Sequence, residues 1–244
     1  MNKEKFFNFC FGCSHKDITE NVIITPFVSL ENFSSICKIE KSFKGMLYSG
    51  KILSKNNKKL TVIKCGIGPG LMGDAVLLLG ISYVKNIIFF GSCGGLKDCE
   101  LSDIILGEKA FNGEGFGLYY KQDFNIKDVF LDNNYEKATC CYTEQLKKHV
   151  SKESKVKVGN IFTIGSLIAE TKENLIYIEN KGFLAIDMEL SAVYKATEII
   201  SRNITSIMFV SDLPLKNPIW QQDLSKYNII IKKISHILVD FIIK

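Results

Sequence analysis

The sequence lacks several features that would assign it to other classes of protein. No uninterrupted apolar run reaches membrane-spanning length, because the most apolar stretch, residues 227–244, is interrupted by Lys232, Lys233 and Asp240. Signal-peptide patterns, internal repeats and low-complexity linkers are also missing. We therefore expect a single domain over residues 1–244, located in the cytoplasm and without a membrane partner.

Histidine is scarce, and the cysteines do not form a recognisable framework. None of the three histidines lies in a recognisable motif beside Cys93, which argues against a cysteine nucleophile. The segment Cys10-x-x-Cys13-x-His15 has the spacing of half a zinc site, but no second pair follows at ligand spacing. We expect no bound metal, and eight free thiols in a reducing compartment rather than a disulfide scaffold.

The chain has no concentrated basic segment. Its formal net charge is +5, but the lysines responsible are scattered through surface-like segments, and asparagine is frequent as well. This distribution is typical of compositional bias rather than of a surface that follows a phosphate backbone. We expect no nucleic-acid partner.

Strand patterns alternate with helical patterns along the chain. We predict strands at residues 21–25 and 86–90, a helix at 30–38 and an amphipathic closing helix at 227–244, while residues 111–140 give weak signals typical of a loop-rich excursion. This alternation implies a largely parallel or mixed sheet with helices on both faces. The predicted class is therefore α/β.

Two acidic motifs directly follow apolar strand patterns. One pattern, at residues 182–186, precedes the Asp-Met-Glu segment that ends at Glu189, and another, at 205–210, precedes Asp212. Acids beyond the carboxyl edge of a sheet lie where α/β proteins bind ligands, so we expect both in one site. The alternative is structural: Asp212 would cap a turn before Pro214, and Glu189 would begin a helix whose dipole favours an acid.

Two glycine-rich segments are candidate ligand loops. Residues 66–70 are Gly-Ile-Gly-Pro-Gly, between a predicted strand and a helix, and residues 91–95 are Gly-Ser-Cys-Gly-Gly, after a buried strand. Small residues allow backbone N–H groups to approach an anion or a sugar. The first segment lacks the dinucleotide spacing Gly-x-Gly-x-x-Gly and is equally consistent with a tight turn. The second is more informative, because its hydroxyl and amides could hold a polar ligand, and its structural alternative is a crowded strand exit.

Together these motifs resemble the nucleoside phosphorylase superfamily, specifically its branch of hexameric purine nucleoside phosphorylases, uridine phosphorylases and related purine nucleosidases. The resemblance extends from about Asn21 to the end and is densest at residues 156–162, 187–189 and 210–212. It implies a three-layer α/β/α fold with a central mixed, partly barrel-like sheet. It also implies a homo-oligomer, either a dimer or a hexamer of dimers, and an enzyme without metal or organic cofactor.

The activity that the resemblance implies is cleavage of the N-glycosidic bond of a purine (deoxy)ribonucleoside. This cleavage builds positive charge on the ribose and negative charge on the base, so the leaving purine needs a proton donor at N7. By resemblance Asp212 is that general acid, Glu189 accepts hydrogen bonds from the ribose hydroxyls, and Met188 packs against the sugar. Phe162 and Leu167 are expected to contact the base, although Leu167 replaces a commonly aromatic residue.

The resemblance also assigns residues to the acceptor, the molecule that attacks the sugar. Ser92 and the backbone of Gly66 and Gly68 are expected to face this nucleophile. Lys44 would reach the site of a neighbouring subunit. The partners implied are therefore a purine nucleoside, phosphate as the acceptor, and further copies of the chain.

The acceptor side departs from the family at the residues that would bind phosphate. Phosphorylases surround the phosphate dianion with arginines, because an unpaired buried charge is costly. The matching segments here carry Glu31, Phe89 and Lys44, so one cation remains of three. Phosphorolysis follows from the resemblance over the whole chain, whereas hydrolysis, with Glu31 orienting or deprotonating water, follows from these replacements. A third interpretation is a catalytically weakened protein that binds nucleosides without cleaving them.

Overall fold

The computed structural model describes residues 2–131 and 134–243. The strands are β1 Asn21–Thr25, β2 Lys38–Lys44, β3 Ser49–Lys55, β4 Lys58–Lys64, β5 Asn86–Gly95, β6 Ile104–Gly113, β7 Tyr135–Lys137, β8 Val156–Ile164, β9 Ala185–Asp187 and β10 Asn203–Asp212. The helices are α1 Lys3–Phe11, α2 Glu31–Ser34, α3 Pro69–Leu79, α4 Ile126–Val129, α5 Cys140–Val150, α6 Lys172–Asn180, α7 Leu190–Ile199 and α8 Tyr227–Ile243.

The strands of the described residues form one ten-stranded sheet, part of which closes on itself. β5 pairs with β10, β10 with β6, β6 with β8, β8 with β9, and β9 with β5, which completes a ring. From β5 the sheet continues as an open extension through β1, β4, β3 and β2. Parallel and antiparallel pairs both occur, so the predicted mixed, partly barrel-like sheet is confirmed.

Helices cover both faces of this sheet, as the predicted three layers require. On one face α1, α3 and α7 bury Phe7, Met72 and Tyr194 against the strands. On the other face α5 and α8 bury Leu146 and Ile234. The central strands are apolar on both sides because both faces are covered. Among the described residues, no helix has the length and apolarity needed to cross a bilayer.

The predicted helix at residues 30–38 is wrong in its second half. Helix α2 ends at Ser34, and Lys38 already begins β2, which pairs with β3 in antiparallel register. Most β2 side chains are exposed, so the strand has no apolar alternation that would distinguish it in the sequence. Its backbone pairing, rather than burial, makes this segment a strand.

Segment 91–95 is not a loop after a strand but the end of the strand itself. β5 continues to Gly95 because it pairs with β10 on one side and β9 on the other. A Cβ on Gly94 would lie 2.7 Å from the Pro214 ring and 3.3 Å from Ile186. Glycine is therefore required where these segments of the chain converge, which favours the interpretation of residues 91–95 as a crowded strand exit over a free loop.

The excursion at residues 111–140 has more structure than its sequence signals indicate. β6 extends to Gly113, α4 and β7 follow, and residues 132 and 133 lie outside the described part. Phe111 and Phe130 stack with ring centroids 4.7 Å apart, and both contact Phe162 and Phe183. This aromatic cluster forms a separate small core beneath the excursion.

Candidate active site

A pocket of about 240 Å³ opens at the carboxyl ends of β5 and β10, beside β9. Its position agrees with the general rule that α/β sheets bind ligands beyond the carboxyl ends of their strands. The residues that line it are Pro26, Phe27, Ile67, Ser92, Cys93, Gly94, Leu167, Glu170, Ile186, Asp187, Met188, Glu189, Ser211, Asp212 and Ile219.

A β-bulge in β10 places Asp212 at the pocket wall. Val210 pairs with Cys93 and Asp212 with Gly94, so Ser211 is an extra residue in the ladder. Such a bulge redirects the side chains that follow it, and here both Ser211 and Asp212 line the pocket. The Ser211 hydroxyl donates to Asp212 Oδ1 at 2.9 Å, which orients the carboxyl.

Asp187 holds the turn that carries the second predicted acid. Its Oδ2 accepts the backbone N–H groups of Glu189 at 3.0 Å and of Leu190 at 2.6 Å, while the Thr163 hydroxyl donates to Oδ1 at 2.7 Å. Through these hydrogen bonds the Asp187 side chain fixes the connection from β9 to α7. The carboxylate at the end of this strand is therefore a positioning group, and its role was not predicted from the sequence.

Glu189 connects the turn after β9 to the glycine loop. The Gly68 N–H donates to Glu189 Oε1 at 2.8 Å, and Gly68 has φ = +110°, a conformation that only glycine adopts readily. Glu189 precedes the first residue of α7, but its side chain makes no capping bond to that helix. The alternative that Glu189 merely begins a helix therefore does not explain its orientation.

The acids in the pocket hold protons more strongly than ordinary carboxyls. Burial raises the pKa of Asp212, although the Ser211 hydroxyl and the Ile219 backbone N–H oppose this shift. Burial and the neighbouring charge of Asp187 raise the pKa of Glu189. A carboxyl with a raised pKa is a better source of protons near neutral pH than an exposed one.

Glu170 is an acid of the pocket that sequence reasoning missed. It follows the 3₁₀ turn Leu167–Ala169 and lines the same cavity as Asp212. Burial, together with the charge of Asp212, raises the pKa of Glu170 to about 8. The sequence offers little signal for this residue, because Glu170 precedes a helix and resembles an ordinary surface acid.

The structure brings five of the predicted site residues together at the pocket wall. These are Ser92, Leu167, Met188, Glu189 and Asp212. Leu167 remains 58% exposed, so this side of the pocket is apolar and open. The grouping of these five residues around one cavity is the arrangement that the expected roles require.

The other predicted residues lie outside the lining of the pocket. Phe162 is fully buried in the aromatic core beneath the excursion, so the structure does not bring its ring to this pocket and its contact with a base stays a prediction. Lys44 is exposed on β2.

The backbone N–H groups of the glycine loop already have partners. The N–H of Gly66 bonds to the Pro26 carbonyl at 3.1 Å, and the N–H of Gly68 bonds to the Glu189 carboxyl. Neither N–H is therefore available to an acceptor in this conformation.

Glu31, the proposed water-activating acid, also lies outside the lining. Its side chain is 77% exposed, and its Oε1 contacts Lys51 Nζ at 2.5 Å. Hydrogen bonds from Lys51 and Ser34 lower the pKa of Glu31, so it is a weaker base than an unpaired carboxylate. The structure therefore does not bring Glu31 into this pocket, and its action on water stays a prediction.

The charge of the lining limits its chemistry. Among the described residues, no Lys, Arg or His lines the pocket, whereas four carboxyl groups do. The part of the chain that the structure describes contains no cluster of three His, Cys, Asp or Glu placed to bind a metal ion. Cys93 lines the pocket, but burial raises the pKa of its thiol far above the ordinary value, which disfavours a nucleophilic thiolate. The arrangement favours proton transfer from carboxyls.

The chain is similar to known proteins in sequence and in fold. The chain is 26% identical over 188 residues to the purine nucleoside phosphorylase DeoD-type 2 of Vibrio parahaemolyticus, covering 75% of this chain and 73% of that protein. Its fold is similar to uridine phosphorylase from Vibrio fischeri ES114, with a TM-score of 0.71, 17% identity and coverage of 92% of each chain. It is also similar to a futalosine hydrolase mutant of Helicobacter pylori, with a TM-score of 0.72, 11% identity and coverage of 91% of this chain and 98% of that one.

A family model decides the assignment, because it matches the chain over residues 23–242. The matched region contains the sheet ring, the pocket and every carboxyl group that lines it. The chain belongs to the phosphorylase superfamily.

Proposed function

We propose that the protein cleaves the N-glycosidic bond of a purine (deoxy)ribonucleoside, with water as the acceptor. The observation that carries the proposal is the pocket itself, where Asp212 and Glu189 lie in one cavity without a neighbouring cation among the described residues. A buried acid with a raised pKa supports protonation of a leaving base, and a second carboxyl supports binding of sugar hydroxyls.

In the proposed reaction the C1′–N9 bond breaks and its electron pair moves into the purine. Asp212 delivers a proton to N7, which neutralises the charge that develops on the base. The oxygen of water bonds to C1′, and the proton that this water loses restores the proton of Asp212. The products are free base and ribose, so atoms and charge balance without a cofactor.

Glu189 supports the sugar half of this reaction. Its Oε1 accepts the Gly68 N–H, and the same carboxyl lines the pocket, where it can also accept from a ribose hydroxyl. Where Glu189 is ionised, it also favours the positive charge that develops on the sugar in the transition state, and its raised pKa shifts that ionisation to higher pH. Met188, next to it in the lining, offers an apolar contact for the ribose ring.

The charge around the pocket favours water over phosphate. A phosphate dianion would find no arginine or lysine to neutralise it in the described lining, and any lining carboxyl that is ionised would repel it. Water carries no charge and avoids this cost. One solved structure with the same fold is named a hydrolase, which is consistent with this choice of acceptor.

Phosphorolysis is a second candidate, favoured by the relatives in sequence. The Vibrio parahaemolyticus protein is a purine nucleoside phosphorylase by name. Lys44 is exposed on β2, so in an oligomer it could supply a cation to the pocket of a neighbouring copy. This candidate requires an assembly, whereas hydrolysis uses the groups of one chain.

A phosphate-dependence assay separates these candidates. The purified protein is given inosine or adenosine in phosphate-free buffer and in phosphate buffer, and the released base and sugar product are quantified by chromatography. We expect equal base release in both buffers, with ribose as the product. Release only with phosphate, with ribose 1-phosphate as the product, would establish phosphorolysis instead. No release in either buffer, with nucleoside binding retained by calorimetry, would identify a binding protein.

A further inference from the structure

We propose that Glu170 is a specificity-determining residue that contacts the C6 substituent of the purine while Asp212 serves N7. This inference rests on the proposed function and adds the class of base to it. Glu170 and Asp212 line the same pocket, and their carboxyl groups are close enough for the charge of Asp212 to act on Glu170. N7 and the C6 substituent are neighbours on one edge of a purine, so two adjacent carboxyls match that edge.

The surroundings of Glu170 hold its backbone but leave its carboxyl without a partner. The Glu170 N–H bonds to the Leu167 carbonyl at 3.2 Å, and the Asn174 side chain holds the Ala169 carbonyl at 2.8 Å. Thr171 then caps α6 by accepting the Asn174 N–H. Within the described residues no donor bonds to the Glu170 carboxyl, which is available for a ligand.

Among the described residues, the ionisable side chains that share the pocket lining with Glu170 are three carboxyl groups and the Cys93 thiol. Asp212 faces it from β10, and Asp187 and Glu189 line the cavity from β9 and the turn that follows. Burial and the charge of Asp212 raise the pKa of Glu170 to about 8, so at neutral pH this carboxyl is mostly protonated. A protonated carboxyl has one donor and one acceptor, whereas an ionised one only accepts.

The two protonation states recognise different purines. A 6-oxo purine presents an acceptor at O6, so it needs the protonated form of Glu170 as a donor. A 6-amino purine presents N–H donors at N6, and both forms of the carboxyl can accept from them. Glu170 therefore permits both classes at neutral pH and favours 6-amino purines as the pH rises through about 8.

The test compares kcat/KM for inosine and adenosine from pH 6.5 to 9.5 in the wild-type protein, in Glu170→Gln and in Glu173→Gln. Glu173 is an exposed acid three residues further along and serves as the matched control. In the wild-type protein we expect the inosine-to-adenosine ratio to fall by about tenfold between pH 7 and pH 9, because roughly a tenth of Glu170 stays protonated one unit above its pKa.

Glutamine keeps a donor and an acceptor at every pH. In Glu170→Gln the ratio should therefore fall much less over the same range, while Glu173→Gln should follow the wild type. Inosine also loses its own N1 proton in alkaline solution, but this contribution is shared by all three proteins. A wild-type pH dependence in Glu170→Gln, or an altered one in Glu173→Gln, would overturn the inference.

A binding measurement separates this inference from the proposed reaction. If the wild-type protein releases no base, the proposed function fails, and calorimetry with free hypoxanthine and adenine then tests Glu170 alone. We expect hypoxanthine binding to weaken from pH 7 to pH 9 more in the wild-type protein than in Glu170→Gln, and adenine binding to change little. Equal weakening of hypoxanthine binding in both proteins would contradict a contact between Glu170 and O6.

Discussion

Two regions of the molecule contain the same chemical group in opposite environments. The pocket acids, Glu170, Glu189 and Asp212, are enclosed by the protein, and burial raises the pKa of each. The surface pair, Glu31 and Lys51, includes a carboxylate that is 77% exposed and whose pKa is lowered by its cation.

This difference shows that the location of a carboxyl, rather than its presence in a motif, decides what it can do. A buried acid without a cation holds its proton and can donate it to a leaving group. An exposed acid beside a lysine is ionised and already occupied. Glu31 therefore differs from the pocket acids in its chemistry, although sequence reasoning placed it in the same site.

The largest expected effect follows from removing the proton of Asp212. Asp212→Asn keeps the size of the side chain but cannot protonate N7, so we expect kcat/KM for base release to fall by about 10²- to 10⁴-fold. Asp223→Asn, an exposed acid outside the pocket, is the matched control and should remain active. Near-normal release by Asp212→Asn would remove Asp212 from the mechanism.

Removing Glu189 tests the sugar half of the pocket. Glu189→Ala eliminates the acceptor for ribose hydroxyls and the bond to the Gly68 N–H, and we expect kcat/KM for inosine to fall by about tenfold to a hundredfold. The loss should be smaller for 2′,3′-dideoxyinosine, which lacks those hydroxyls. If both substrates lose activity equally, Glu189 acts on the structure of the loop rather than on the sugar.

The proton on Glu170 also predicts how stability depends on pH. Its pKa is raised from the ordinary 4.5 to about 8 in the folded protein, so the folded state binds more protons than the unfolded state between these values. Stability from this group is complete below about pH 4.5 and is lost as the pH rises through about 8. Glu170→Gln should therefore melt at least about 2 °C above the wild type at pH 9.

At pH 4 the two melting temperatures should converge, because Glu170 is then neutral in both the folded and the unfolded state. The measurement is a series of thermal denaturation curves from pH 4 to pH 9. A constant difference at every pH would mean that the substitution acts through packing and not through the proton.

The smallest effect is expected at the surface pair. Glu31→Ala removes a carboxylate that is 77% exposed, and exposed charges contribute little to stability. Its partner Lys51 is only 11% exposed, but it keeps its contact with the Ser34 hydroxyl. We expect unchanged base release in phosphate-free buffer and a melting temperature within about 4 °C of the wild type. A large loss of hydrolysis in this variant would return Glu31 to the mechanism and break the distinction between the two regions.

Much of the fold could be predicted from the sequence because apolar periodicity is local. The buried strands β1, β5 and β8 and the helices α5 to α8 each carry a continuous pattern of apolar residues. β2 has no such pattern, since its side chains are mostly exposed and its pairing partner lies further along the chain. Strands formed by pairing alone leave little trace in the sequence.

The candidate site was predictable in part for a similar reason. Glu189 and Asp212 are recognisable because each follows an apolar strand, and strand ends meet at one edge of a sheet. Glu170 and Asp187 could not be given roles, because what distinguishes them is burial and a hydrogen-bond partner distant in sequence. Phe162 was assigned to the base, but its strand directs the ring into the aromatic core.

The sequence by itself determined the α/β class, the two acid-tipped strands and the motifs that resemble the phosphorylase superfamily. These features depend on the order of residues over short stretches of the sequence, so they can be recognised before the chain is folded. The tertiary structure alone decided that Glu170 joins Asp212, that Asp187 supports Glu189 and that Glu31 remains at the surface. The protonation of a carboxyl depends on burial and on charges within a few ångströms, and both arise only when distant segments pack together.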